Sequence, residues 1–169
     1  MTHPFKLKHL SRAGWLRVGI SSPESVASHS WGVGYLALIT APADLDIQKL
    51  LAMALIHDLP EIIVGDITPH DGITTQEKHA QEEAAAHRIL DNKAFTLWKE
   101  YQQKKTPEAQ YLSLLDKVDM ALQAQIYGSS FNTNEFLDSF HKYIKHYEDN
   151  LGPIPKSLND LLCKYKLKQ

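Results

Sequence analysis

From Ala54 to Asp66 the chain reads Ala-Leu-Ile-His-Asp-Leu-Pro-Glu-Ile-Ile-Val-Gly-Asp, so four ionisable groups, His57, Asp58, Glu61 and Asp66, stand in an otherwise apolar stretch. His57 and Asp58 follow Leu50, Leu51 and Ala54 at helical spacing and so share the inward stripe of a helix rather than its wet face. Burying an unpaired carboxylate is costly. Any fold for this chain must therefore bring a partner cation, a hydrogen-bond network or a metal to that stripe.

The rest of the sequence sets ordinary bounds. Its 169 residues, 43% hydrophobic and 22% charged, predict a single domain over residues 1–169 with one sizeable core. The longest apolar run, Tyr35 to Ala41, is too short to span a bilayer, and the opening residues lack the apolar region and cleavage site of a secretory signal. A cytoplasmic protein with no membrane partner is expected. Cys163 is the only cysteine, which excludes an intrachain disulfide and a thiolate cluster, so any metal must take His and carboxylate ligands. A net charge of −2 gives no overall basic face for nucleic acid. Locally, Lys6, Lys8, Arg12 and Arg17 precede the first acid, Glu24, with Trp15 among them. That combination suits a small phosphorylated aromatic ligand, or a plain solvated basic segment.

No repeat or linker stands out and strand signals are weak, so the expected fold is all-α, a compact helical bundle. Ser22-Pro23-Glu24 predicts a helix start running to about Thr40, and a second helix begins after Asp46 and ends or kinks near Pro60. Gly65 to Gly72 reads as a loop. Thr74 with Glu77 forms a capping box opening a helix through Ile89, and a shorter helix covers about Ala94 to Lys104. Thr106-Pro107-Glu108 starts a long helix through Ile126. Further helices are expected over Glu135 to Glu148 and Ser157 to Tyr165. The aromatic face of Phe136, Phe140, Tyr143 and Tyr147 reads as core, with a dimer contact as the lesser alternative.

In a continuous helix His57, Asp58 and Glu61 would project toward a common direction, a geometry that suits a metal centre, and a kink at Pro60 would re-aim Glu61. His29 shares a stripe with Val26 and Val33, and Asp116 follows Leu112 by one turn, so both face inward. Each alone is equally a satisfied core residue. Together they supply two imidazoles and two carboxylates from three predicted helices, with room left for water.

The order His29, His57-Asp58, Asp116 resembles the HD-domain metal-dependent phosphohydrolases. The segments Pro23 to His29, Ala54 to Ile67 and Leu115 to Ala124 are similar to the 5′-deoxynucleotidase branch, as is Arg12-Ala13-Gly14-Trp15, so the resemblance runs from about Leu7 to Tyr127. It implies one divalent metal ion (Co, Mn, Zn, Mg or similar) on His29, His57, Asp58 and Asp116, with Asp119 the competing choice for the last position. It also implies a catalytic Glu61, an Asp66 at the sugar, a Trp15 held against the sugar and a phosphate-binding Arg12. Arg12 departs from a pattern in which arginine immediately precedes the tryptophan, which leaves Arg17 as a substitute. Ser28 stands before His29 where relatives often carry an acid. The implied substrate is a deoxyribonucleoside 5′-monophosphate, and the implied assembly a homodimer. Two rivals remain: a two-metal HD enzyme or one acting on another phosphorylated small molecule, drawing on His70, His79 and His87, and a non-catalytic nucleotide-binding scaffold.

Overall fold

The computed structural model describes residues 4–168, and among these there is no strand; Met1 to His3, part of the segment read for a leader, and Gln169 lie outside them. A 3₁₀ turn at Pro4–His9 and a short helix α1, Ala13–Arg17, lead into α2, Val26–Thr40, and α3, Ile47–Ile56. A single turn α4, Glu61–Val64, is followed by α5, Thr75–Ile89, α6, Asn92–Gln103, α7, Pro107–Tyr127, α8, Asn134–Leu151, and α9, Lys156–Lys164. α2 packs against α3 and α7, and α7 also packs against α6 and α8. Val33, Leu36, Leu50, Met53, Leu112, Leu115 and Val118 fill the space between them. Each such side chain removed from water stabilises the fold by about 1.5–3 kcal/mol before entropy is counted.

Most predicted helix starts are found with their expected caps. Asp46 accepts from the Lys49 N–H, Thr74 and Glu77 form a reciprocal box, and Thr106 caps α7 ahead of Pro107. Two helix starts differ by two residues or more, each for a physical reason. α2 starts at Val26 with Ser25 as its cap, not at Ser22-Pro23. The chain is tied down in extended form through Ser25: Glu24 O accepts from Arg12 N–H, the Val26 N–H donates to Leu10 O, and the Glu24 N–H donates to the Tyr127 hydroxyl. Asp91, accepting from the Ala94 N–H, likewise starts α6 earlier than predicted, at Asn92. The aromatic face of α8 is core, with Phe140 buried and Tyr143 and Tyr147 packed against the same cluster.

At Pro60 the helix does more than kink. α3 ends at Ile56, a turn spans residues 57–60, and α4 begins at Glu61. The helix ends near Pro60, one of the two outcomes expected, so His57, Asp58 and Glu61 do not share one continuous helix: the missing proline N–H and its ring separate two helices. Gly65, at φ 83°, ends α4 in a conformation open to glycine and turns the chain into the loop that carries Asp66.

Glu108, at the start of α7, accepts from Lys49 Nζ at 3.1 Å and from the Asp46 N–H at 3.3 Å, tying α7 to α3. Partial burial pushes its carboxyl up, but hydrogen bonds from its own backbone N–H, Lys49 and Asp46 outweigh that and leave it below its ordinary 4.5. A depressed carboxylate contributes stability that is complete above its unfolded pKa and lost as pH falls through the folded one. Glu108→Gln is thus expected to lower stability by only about 0.5–1 kcal/mol at neutral pH, because solvent screens the pair. Urea denaturation of both proteins should show that difference vanish by about pH 3.

Candidate metal centre and active site

His29 is fully buried on α2. Its Nδ1 lies 2.7 Å from Asp119 Oδ2. An ionised carboxylate only accepts, so the proton is on Nδ1 and Nε2 presents a lone pair on the other side of the ring. His57 repeats the arrangement: its Nδ1 lies 2.8 Å from the Ala54 carbonyl, which can only accept. The carbonyl of His57 itself takes the indole N–H of buried Trp98, fixing the turn against α6. Both Nε2 atoms are buried without a hydrogen-bond partner.

Those two lone pairs face carboxylates. His29 Nε2 lies 3.2 Å from Asp116 Oδ1 and 3.7 Å from Asp58 Oδ2, and His57 Nε2 lies 3.2 Å from Asp58 Oδ2. Electron-rich nitrogen against anionic oxygen requires a positive charge between them. Burial and Arg12 push the His29 imidazole down, but the facing carboxylates of Asp116 and Asp119 prevail and bring it up to about 9, so without a cation a proton takes that place. One donor atom each from His29, His57 and Asp116 lies within 4.8 Å of the others, close enough to share one ion. A second group, Glu24, His29 and Asp119, reuses His29 through the nitrogen already bonded to Asp119. Neither group includes His70, His79 or His87, the histidines on which a second metal would have depended.

The carboxyls around this centre are driven apart. Burial alone would raise Asp58 and Asp116; His57, His29 and Arg12 outweigh it for the first, and Lys117, His29 and His57 for the second, holding both well below the usual range. Glu61 goes the other way. Burial, with the nearby charges of Asp58 and Asp66, keeps its carboxyl well above 4.5, and its Oε2 has no hydrogen-bond partner. A pair of environments that separate carboxyl pKa values in this fashion is how acid and base duties are divided.

Asp58, Glu61 and Asp116 open onto a cavity of about 360 Å³ that Arg12, Trp15 and Asp66 also line. Arg12 Nη1 is 3.7 Å from Asp58 and from Asp66 Oδ1, while Asp66 Oδ2 accepts the Ala13 N–H at 2.6 Å, tethering the start of α1 to the loop after α4. Trp15 borders the cavity but is 1% exposed, donates its indole N–H to Glu24 and lies between Phe136 and Tyr127, so anchoring the N-terminal segment is one duty it has. Arg17 also reaches the cavity but is ion-paired with Glu135, and Lys6 does not line it. Two further cations meet the site: Lys78, whose Nζ donates to Ile67 O beside Asp66, and Lys117, 3.1 Å from Asp116. The latter was open to inspection in the sequence as the neighbour of a candidate ligand; the former, on α5, was not.

The chain belongs to the HD domain family, whose family model matches residues 5–152. Its relatives narrow this to the 5′-deoxynucleotidase branch. It is 34% identical to the 5′-deoxynucleotidase HDDC2 of Bos taurus, over 80% of this chain and 70% of that one. It is also 34% identical to the 5′-deoxynucleotidase hdd1 of Schizosaccharomyces pombe, over 93% and 84%. Among solved structures, the PH0347 protein from Pyrococcus horikoshii OT3 superposes with a TM-score of 0.80 at 33% identity, covering 96% of this chain and 95% of that one.

Proposed function

We propose that this protein hydrolyses deoxyribonucleoside 5′-monophosphates to the deoxynucleoside and phosphate, using one divalent cation held by His29, His57, Asp58 and Asp116. The observation that carries this reading is the pair of buried, partnerless Nε2 atoms turned toward carboxylates. Two carboxylates balance the charge of a divalent ion, so the loaded site does not strongly repel a phosphate. The donors are imidazole and carboxylate, a set that accepts several first-row metals and does not select among them. When bound, the cation supplies Lewis acidity, polarising a phosphoryl oxygen and acidifying water.

The chain's own groups perform the rest. Arg12, already drawn toward Asp58 and Asp66, holds the phosphate by charge-assisted hydrogen bonds. As water attacks phosphorus and the P–O5′ bond breaks, Glu61, whose buried carboxyl is shifted toward its protonated form, gives a proton to the departing O5′, and the proton lost by the water stays on the released phosphate. Asp66 offers Oδ1 to the sugar 3′-hydroxyl while Oδ2 stays on the Ala13 N–H. The indole edge of Trp15, fixed by Glu24 and Phe136, limits space beside the sugar and disfavours a 2′-hydroxyl. Among the described residues no helix is long and apolar enough to cross a membrane. A cytoplasmic setting and a homodimer complete the reading.

Phosphate release from a panel of deoxyribo- and ribonucleoside monophosphates, with Mn, Co, Zn or Mg added back to chelator-treated protein, tests it. The expected result is release from deoxynucleotides that falls to background under chelator and returns with metal. Absence of release from metal-loaded, folded protein would favour a binding scaffold, and two ions per chain a two-metal enzyme.

A further inference from the structure

α2 carries a surface that no described element covers. Between Val26 and Thr40 it has no Asp, Glu, Lys or Arg, and a helix apolar all round calls for neighbours all round. α3 and α7 pack on it, yet Trp31 is 70% exposed and Tyr35, Leu38 and Ile39 are exposed beside it. Offsets of four, seven and eight residues place these on one stripe. Trp31 lies flat on Tyr35, ring centroids 5.6 Å apart and planes 6° from parallel. With Ile126 of α7, 74% exposed, and Tyr165, three of them, Trp31, Tyr35 and Ile39, border a groove of about 800 Å³, larger than the catalytic cavity and sharing no lining residue with it.

We propose that this groove is the contact face of the homodimer, occupied by the same groove of a second copy across a two-fold axis. The proposal rests on the homodimer reading and gives it a location. At roughly 100–200 Å² of exposed surface for each large side chain, Trp31, Tyr35, Ile39, Ile126 and Tyr165, which line the groove, together present about 700 Å². That is the share one partner gives to a standard-size interface, and it exceeds the roughly 300–600 Å² apolar patch of a typical monomer. The charge pattern also suits self-association. Asp160 and Lys164, one turn apart on α9, border the groove with opposite signs, so a two-fold axis can set Asp160 of one copy against Lys164 of the other. A nucleic acid or an anionic membrane would require a cationic rim, which Glu24, Asp119 and Asp160 deny. The contact would cover the outer side of the helix that carries His29, and Asp119 borders the groove while bonding His29.

The tryptophans provide a built-in probe, since Trp15 and Trp98 are buried and Trp31 alone of the three is exposed in the single chain. Light scattering of the wild-type protein at about 50 µM, a concentration at which standard-size interfaces form, should give twice 19.1 kDa. Iodide should then quench its fluorescence no more than that of Trp31→Phe. Tyr35→Glu with Ile126→Glu should return the mass to 19.1 kDa and make Trp31 quenchable, with circular dichroism unchanged. A wild-type monomer would overturn the homodimer reading itself. A dimer with freely quenched Trp31, or one that survives both substitutions, would place the interface elsewhere and overturn only this face. These readouts do not use catalysis, so they stand apart from the proposed reaction.

Discussion

Glu61→Gln is expected to lower kcat for deoxynucleoside monophosphates by about 10²- to 10⁴-fold, the range removed with a general acid or base, while the bound metal is retained. Glutamine keeps the volume of the side chain and its capacity to hydrogen-bond, so it leaves no cavity against the buried surroundings of Glu61. What it removes is a transferable proton. The carboxyl is pushed well above 4.5 by burial first and by Asp58 and Asp66 next, the direction that an acid role requires. The decisive comparison uses two leaving groups. A deoxynucleoside alkoxide must be protonated as it departs, whereas p-nitrophenolate leaves unaided. An acid role predicts a large loss with dAMP and a much smaller one with p-nitrophenyl phosphate. Equal losses would mean that Glu61 serves the attacking water instead, and wild-type turnover with both would remove it from the mechanism.

The parts of this site legible in the sequence were those set by short-range periodicity. His29 and His57 announced their burial by sharing stripes with apolar neighbours, and the caps at Asp46, Thr74 and Thr106 fixed three helix starts. Local chemistry misled where a distant strand of contact overruled it. Ser22-Pro23-Glu24 is a sound helix start in isolation, but bonds from Arg12 to Glu24 and from Val26 to Leu10 hold the chain extended through Ser25. Pro60 showed that something must give, without showing that residues 57–60 would become a turn between two helices. The tether from Asp66 to Ala13 spans 53 positions and that from Asp119 to His29 spans 90, and no pattern within a window encodes either. Lys78 and Glu135, which line the catalytic cavity from α5 and α8, were hidden for the same reason.

Gly32→Ala is expected to weaken metal binding by about 10- to 100-fold, as loss of a group that orients a ligand histidine does, although Gly32 touches no proposed ligand atom. A Cβ built at Gly32 would stand 2.0 Å from Asp119 Oδ1 and 2.9 Å from its Cγ. The short Asp119 side chain has no far end to swing aside, and its other oxygen is the one bonded to His29 Nδ1 at 2.7 Å. The methyl group therefore evicts the carboxylate that fixes the proton on Nδ1 and aims Nε2 at the metal. Gly34, one residue beyond Val33 on the same helix, is the internal control. Its Cβ would meet Ala54 Cβ at 3.7 Å, an ordinary contact, so Gly34→Ala should leave metal affinity unchanged and follow helix propensity alone, toward about 1 kcal/mol more stable. Calorimetric titration with Mn or Zn distinguishes the two. A double-mutant cycle then identifies the route: if Gly32 acts through Asp119, Gly32→Ala should add almost nothing to Asp119→Ala. Additive losses would show that the methyl disturbs α2 itself, and unchanged affinity in Gly32→Ala would show that His29 holds its orientation without Asp119.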